Sequence, residues 1–252
     1  MTLPAVLVLF LAADSAPPAG KAPKWPLPWA PEVPHVYQWY MTTASEPPGP
    51  EPNGTTTFTL QWDRRKQAII SKGDLNFRTK GSALRGRFFT LFDPDLKPVL
   101  YVSRFAGTTA GRRTGAAGVN AAFGPKTIRI RLGTSSKSPV EKLPAPKVRY
   151  WLYGHQAIQH WAVFCSTLKR TEPSTITVIV PDILRFVRIS FTPDGTEEIR
   201  GTKAFRLKFQ AEGLFNGTVW IGPDGRLLRY RQVLPNGTLN IWLKAEEAKG
   251  KK

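Results

Sequence analysis

Several side-chain groupings in this 252-residue chain have the residue types for chemistry, and each lacks a partner which that chemistry requires. His155 and His160 stand five apart, off a common helix face, with no Glu between them in the zinc-protease arrangement. Cys165-Ser166 offers a nucleophile with His160 nearby in sequence, but Cys165 falls on an apolar stripe, where cysteine acts as a small hydrophobe. Asp93-Pro94-Asp95 is an acidic pair that turn chemistry explains, without further ligands for a cation. In "GRRTGAAG" (111–118) the glycines are misplaced for a phosphate or dinucleotide loop, and no Gly-Lys-Ser/Thr follows. The single cysteine excludes an intramolecular disulfide and any cysteine-based metal site. No catalytic residue, metal ligand or cofactor site emerges, so a non-enzymatic protein is expected.

A different chemistry is written in period two. In "TIRIRLG" (127–133), Ile128, Ile130 and Leu132 alternate with Arg129 and Arg131, which puts apolar groups on one strand face and cations on the other. Arg206 and Lys208 alternate in the same way with Phe205, Leu207 and Phe209, and Arg229 and Arg231 flank Tyr230. Lys plus Arg outnumber Asp plus Glu by 36 to 18, a formal net charge of +18, which attracts anionic surfaces. These six bases are the expected contacts to an anionic membrane surface or an acidic partner protein. Bases interleaved with an aromatic, as in Arg229-Tyr230-Arg231, also suit a nucleic-acid-stacking sheet, although an export signal argues against that reading.

The elements that must position these groups are mostly strands. Apolar content of 41% with eight Trp is enough to build a core, and alternation recurs from "FTLQW" (58–62) to "TLNIWLK" (238–244). Pro193-Asp194-Gly195, Pro223-Asp224-Gly225 and Pro235-Asn236-Gly237 read as turns between antiparallel neighbours. Asn53, Asn216 and Asn236, each in Asn-Gly-Thr, read as turns rather than as glycosylated sites. The Gly/Ala-rich stretch 106–126 reads as a long mobile loop. One segment, about 155–170, has the three-and-four spacing of an amphipathic helix through Ile158, Trp161, Ala162, Cys165 and Leu168.

The fold expected is therefore mainly β: a large curved antiparallel sheet or unclosed β-barrel, with one amphipathic helix in its concave side. On the helix, Trp161, Phe164 and Leu168 would line a ligand site. Residues 1–16 have the short apolar run and small residues of a secretory signal, which places the protein in the periplasm or outside the cell. Residues 17–52 form a proline-rich arm, 53–244 a single β-rich domain, and 245–252 a flexible basic tail.

The segments "FFTLFDPDLKPVLYVSRF" (88–105), "TIRIRLG", "KAFRLKF" (203–209) and "GTVWIGPDGRLLRYRQVLPNGTLNIWL" (217–243) resemble exported bacterial β-rich domains of unknown function. That resemblance implies the unclosed β-barrel of the lipoprotein-localisation carriers and related periplasmic lipid binders. The Gly/Ala stretch and the strong basic charge depart from that group, and no ligand residue is carried over. It implies an exported binding protein for an apolar or amphiphilic, lipid-like ligand. Alternatives are a structural or assembly subunit of an envelope complex and a nucleic-acid-binding β domain.

Overall fold

The computed structural model describes residues 25–43, 51–110, 112–154, 157–234 and 237–243. Residues 1–16, read as a signal, residues 17–24 of the stretch read as an arm, most of the proline cluster 46–52, His155, Pro235-Asn236 and residues 245–252, read as a tail, lie outside these. The strands are β1 (His35–Thr43), β2 (Gly54–Asp63), β3 (Ala68–Thr79), β4 (Ser82–Phe92), β5 (Pro98–Thr109), β6 (Arg112–Phe123), β7 (Thr127–Leu132) and β8 (Val140–Pro144). They continue as β9 (Trp151–Leu152), β10 (Ser174–Val180), β11 (Arg185–Ile199), β12 (Thr202–Ala211), β13 (Phe215–Ile221), β14 (Leu227–Leu234) and β15 (Gly237–Leu243). One helix, α1 (Ile158–Cys165), lies between β9 and β10.

All strands belong to one 15-stranded sheet in the order β8-β7-β6-β5-β4-β3-β2-β1-β15-β14-β13-β12-β11-β10-β9. Sequence neighbours pair as antiparallel hairpins, and β1 pairs with β15, joining the two ends of the chain. Residues 35–43 of the stretch read as an arm are thus a central strand. Among the described strands, only β9 and β10 run parallel. The edges β8 and β9 do not bond to each other, so the barrel stays open. Tyr150 fills the seam, its ring 6.4 Å from Phe123 and 5.5 Å from Phe186.

The alternation works as expected where it is strongest: Ile128 and Ile130 are fully buried and Arg129 is exposed. Four expectations are corrected. The stretch 106–126 is a β-hairpin, because small residues let β5 and β6 approach closely. A Cβ on Gly118 would meet the Ser103 carbonyl oxygen at 2.7 Å. Pro193-Asp194-Gly195 is a bulge inside β11, and the chain reverses instead at Arg200-Gly201; a bulge tolerates Pro, which cannot donate to the ladder. Asn216-Gly217 lies within β13, where a Cβ on Gly217 would meet Phe209 Cζ at 2.6 Å. Finally, the helix is shorter than 155–170, and all eight of its residues are buried, Gln159 and His160 included. It lies inside the barrel.

Trp29, 1% exposed, and Leu27 plug one end of the barrel. The Trp29 ring is 5.0 Å from His35 and 5.7 Å from Phe58, and its carbonyl accepts a hydrogen bond from Trp25 Nε1. The two tryptophans of the proline-rich stretch therefore pack on the domain.

Candidate functional site

Helix α1 is too short to be stable alone, and its Trp161 supplies the anchor. That ring lies 4.7 Å from each of Phe164, Phe209 and Tyr230. Between the helix start and the sheet remains a partly open cavity of about 200 Å³. Its wall comes from Trp39 and Met41 of β1, Leu75 and Phe77 of β3, and Leu84 of β4. Tyr230, Gln232 and Leu234 of β14, Leu239 and Ile241 of β15, and Tyr153, Gly154, Ala157, Ile158 and Trp161 complete it. Polar groups in this wall are few and mostly engaged: Tyr230 Oη donates to Gln232 Oε1 at 2.9 Å, and Trp39 Nε1 to Thr56 Oγ1 at 2.9 Å. Burial raises the Tyr153 and Tyr230 phenols well above their ordinary values, so both stay neutral. The space is of a size for a small apolar molecule, since an engineered apolar cavity of about 150 Å³ takes benzene.

Behind the helix runs a polar stripe. Ser71, Thr90 and Ser103 point inward and are fully buried, and His160 meets Thr90. Gly154 N–H donates to His160 Nδ1 at 2.9 Å, so the ring proton sits on Nε2, which donates to Thr90 Oγ1 at 2.9 Å. Burial pushes His160 down to about 3, fixing a neutral structural histidine. Gly154 is required here, because a Cβ would press on the Tyr101 hydroxyl and lie 2.8 Å from His160 Cε1. Cys165 is fully buried and burial raises its thiol well above the ordinary range, which suppresses the thiolate. Among the described residues, no group of three or more His, Cys, Asp or Glu side chains could hold a metal ion.

The sheet's outer face divides in two. On β12–β15, Arg206, Trp220, Arg229 and Trp242 are direct cross-strand neighbours. The Arg229 guanidinium carbon lies 4.3 Å from the Trp220 ring centroid and 4.1 Å from that of Trp242. Glu197 accepts from Trp220 Nε1 at 2.8 Å and faces Arg206 at 3.6 Å and Arg229 at 3.8 Å. Asp194, presented by the bulge, pairs with Arg206 at 2.9 Å and Lys208 at 3.0 Å. Lys208, then Arg206, hold the Asp194 carboxyl below its ordinary value. On β3–β8 the bases have fewer acids: Arg87 faces Arg104 and Arg129 faces Lys142 across adjacent strands. Among the described residues there, Arg87 has an ion pair, with Asp74 at 3.4 Å.

The residues singled out from sequence are therefore sorted by the fold. Trp161 lines the cavity; Phe164 and Leu168 do not, and they pack in the core further along the helix and beyond its end. Arg206, Lys208 and Arg229 sit in the ion-paired half, with exposed Arg231 between Thr218 and Asn240. Arg129 and Arg131 lie in the other half. Tyr230 is 2% exposed and inward, so the Arg229-Tyr230-Arg231 run offers no surface ring for stacking. Sequence reasoning missed Trp39, Leu75, Leu84 and Tyr153. Alternation marks some of them as inward-facing, but only the register shows that they meet.

No known protein family matches the chain, and no curated protein does. Among solved structures, the chain is similar to a β-barrel-like protein of domain of unknown function DUF1849 from Brucella abortus. The two share 10% identity over 84% of this chain and 94% of that one, with a TM-score of 0.56. A structure titled "putative lipoprotein" from Parabacteroides distasonis ATCC 8503 aligns over 86% of this chain and 96% of that one, at 10% identity and a TM-score of 0.30. The first likeness shows a β-barrel-like fold shared with a protein of unknown function. No helix among the described residues is long and apolar enough to cross a membrane.

Proposed function

We propose that the protein is an exported, non-enzymatic carrier or binding domain that seats one apolar chain of an amphiphile in the cavity beside α1 and docks on anionic surfaces. The observation that carries this is the cavity itself: an aromatic and aliphatic recess with Gln232 as its polar handle. Concave apolar sites with a few convergent polar groups are the usual form of small-molecule sites. At about 200 Å³ the recess suits one short chain, with the polar head outside near Gln232. The secretory-type pattern of residues 1–16 and the resemblance to periplasmic lipid binders support the export part of the reading.

The test is native mass spectrometry and solvent extraction of the purified protein, followed by titration with a fluorescent medium-chain fatty acid. Leu84→Trp, which fills the recess from β4, is expected to weaken probe binding about tenfold while the protein stays folded. Protein that carries no amphiphile and does not bind the probe overturns the proposal.

A further inference from the structure

We infer that the outer face of β3–β8 is a docking surface for an anionic bilayer. The inference rests on the surface-docking half of the proposed function and is independent of the cavity. Opposed like charges across adjacent strands destabilise a sheet, yet this face holds two such pairs, Arg87 with Arg104, where Asp74 pairs with Arg87 alone, and Arg129 with Lys142. On β12–β14 the comparable bases are held by Asp194 and Glu197. The two halves of one sheet therefore differ: the β12–β15 face is partly neutralised by Asp194 and Glu197, and the β3–β8 face keeps more of its positive field.

The basic face has two further features. Half-buried Phe89, Leu100 and Val102 are outward neighbours on β4 and β5, over buried Ile70 and Leu91, and form an apolar centre between the bases. At its edge is a shallow hollow of about 340 Å³ lined by Ala122, Gly124, Pro125, Lys126, Thr127 and Arg129. Two cations in a hollow beside Lys142 fit a phosphate headgroup, and the apolar centre fits the level just below headgroups. This centre is mainly aliphatic, and single-stranded nucleic acid would require aromatic platforms.

The full chain is to be floated with vesicles of phosphatidylcholine alone and with about 30 mol% phosphatidylglycerol. Binding is expected to the anionic vesicles only and to fall with added salt. Arg129→Gln with Lys142→Gln is expected to weaken it about thirtyfold, at about fivefold per base near a charged surface. Arg206→Gln with Lys208→Gln, in the partly neutralised half, is expected to change it less than about twofold. An equal loss from both pairs, or no loss from the first, overturns the assignment of the face while leaving surface docking intact. No binding to anionic vesicles overturns docking altogether, and fatty-acid titration still tests the cavity. Tighter binding to a single-stranded oligonucleotide than to vesicles, lost in the Arg129/Lys142 variant, overturns the bilayer in favour of nucleic acid.

Discussion

His160 has both ring nitrogens committed, one accepting from Gly154 N–H and the other donating to Thr90. Charging it would put a second proton on Nδ1, where it would face that amide N–H in a fully buried site. Its folded pKa of about 3 lies below the ordinary 6.5. Stability from this residue is thus complete above pH 6.5 and is lost as pH falls from there toward 3, because the unfolded chain takes up a proton that the folded chain refuses. The slope approaches about 1.4 kcal/mol per pH unit. Urea unfolding of wild type and His160→Gln between pH 6.5 and 5 should show a steeper loss in wild type; parallel curves would refute the assignment. The sequence marks His160 as a structural or surface histidine rather than a metal ligand, on the absence of ligand-spaced partners. Its actual partners, Thr90 and Gly154, come from other elements.

The Trp242-Arg229-Trp220-Arg206 row is a property of four strands and of no single one. Each residue looks like a surface cation or a surface aromatic in its own strand, and pairing stacks them. Arg229 lies between two rings at about 4 Å with burial pulling its pKa down, so its charge interacts mainly with the rings and Glu197. Arg229→Ala should lower unfolding free energy by about 2 kcal/mol, whereas Arg231→Ala, exposed two residues on, should change it by less than about 0.5 kcal/mol. Guanidinium unfolding followed by circular dichroism distinguishes the two, and equal effects would dissolve the row as a stabilising unit.

The whole barrel is held at its ends as well as along its ladders. Trp29 belongs to a segment before the first strand, yet it packs on Tyr37 and Phe58, and closes the lumen opposite the cavity. Removing a fully buried Trp leaves a void that the rigid strands cannot collapse, so Trp29→Ala should cost about 3–5 kcal/mol. Thermal unfolding of this variant should occur well below that of wild type; an unchanged midpoint would mean that the plug is incidental to the closed end.

Most of the strands, the antiparallel pairing of neighbours joined by short turns and the one helix follow from the sequence alone, whereas β3, β6, β8 and the strand order do not. Alternation and turn residues are local, and period two assigns a face without knowledge of the partner strand. That Ile128 goes in and Arg129 goes out needed nothing else. The cavity and the division of the cations needed the tertiary structure. Trp39 meets Ile241 only because the first and last strands pair, and Arg206 meets Asp194 only because β11 carries a bulge there. The Gly/Ala hairpin was illegible for the opposite reason: its residues have weak strand preference, and two flanking strands impose the conformation. Chemistry that depends on proximity across long sequence separation is fixed by register, and register is a property of the assembled sheet.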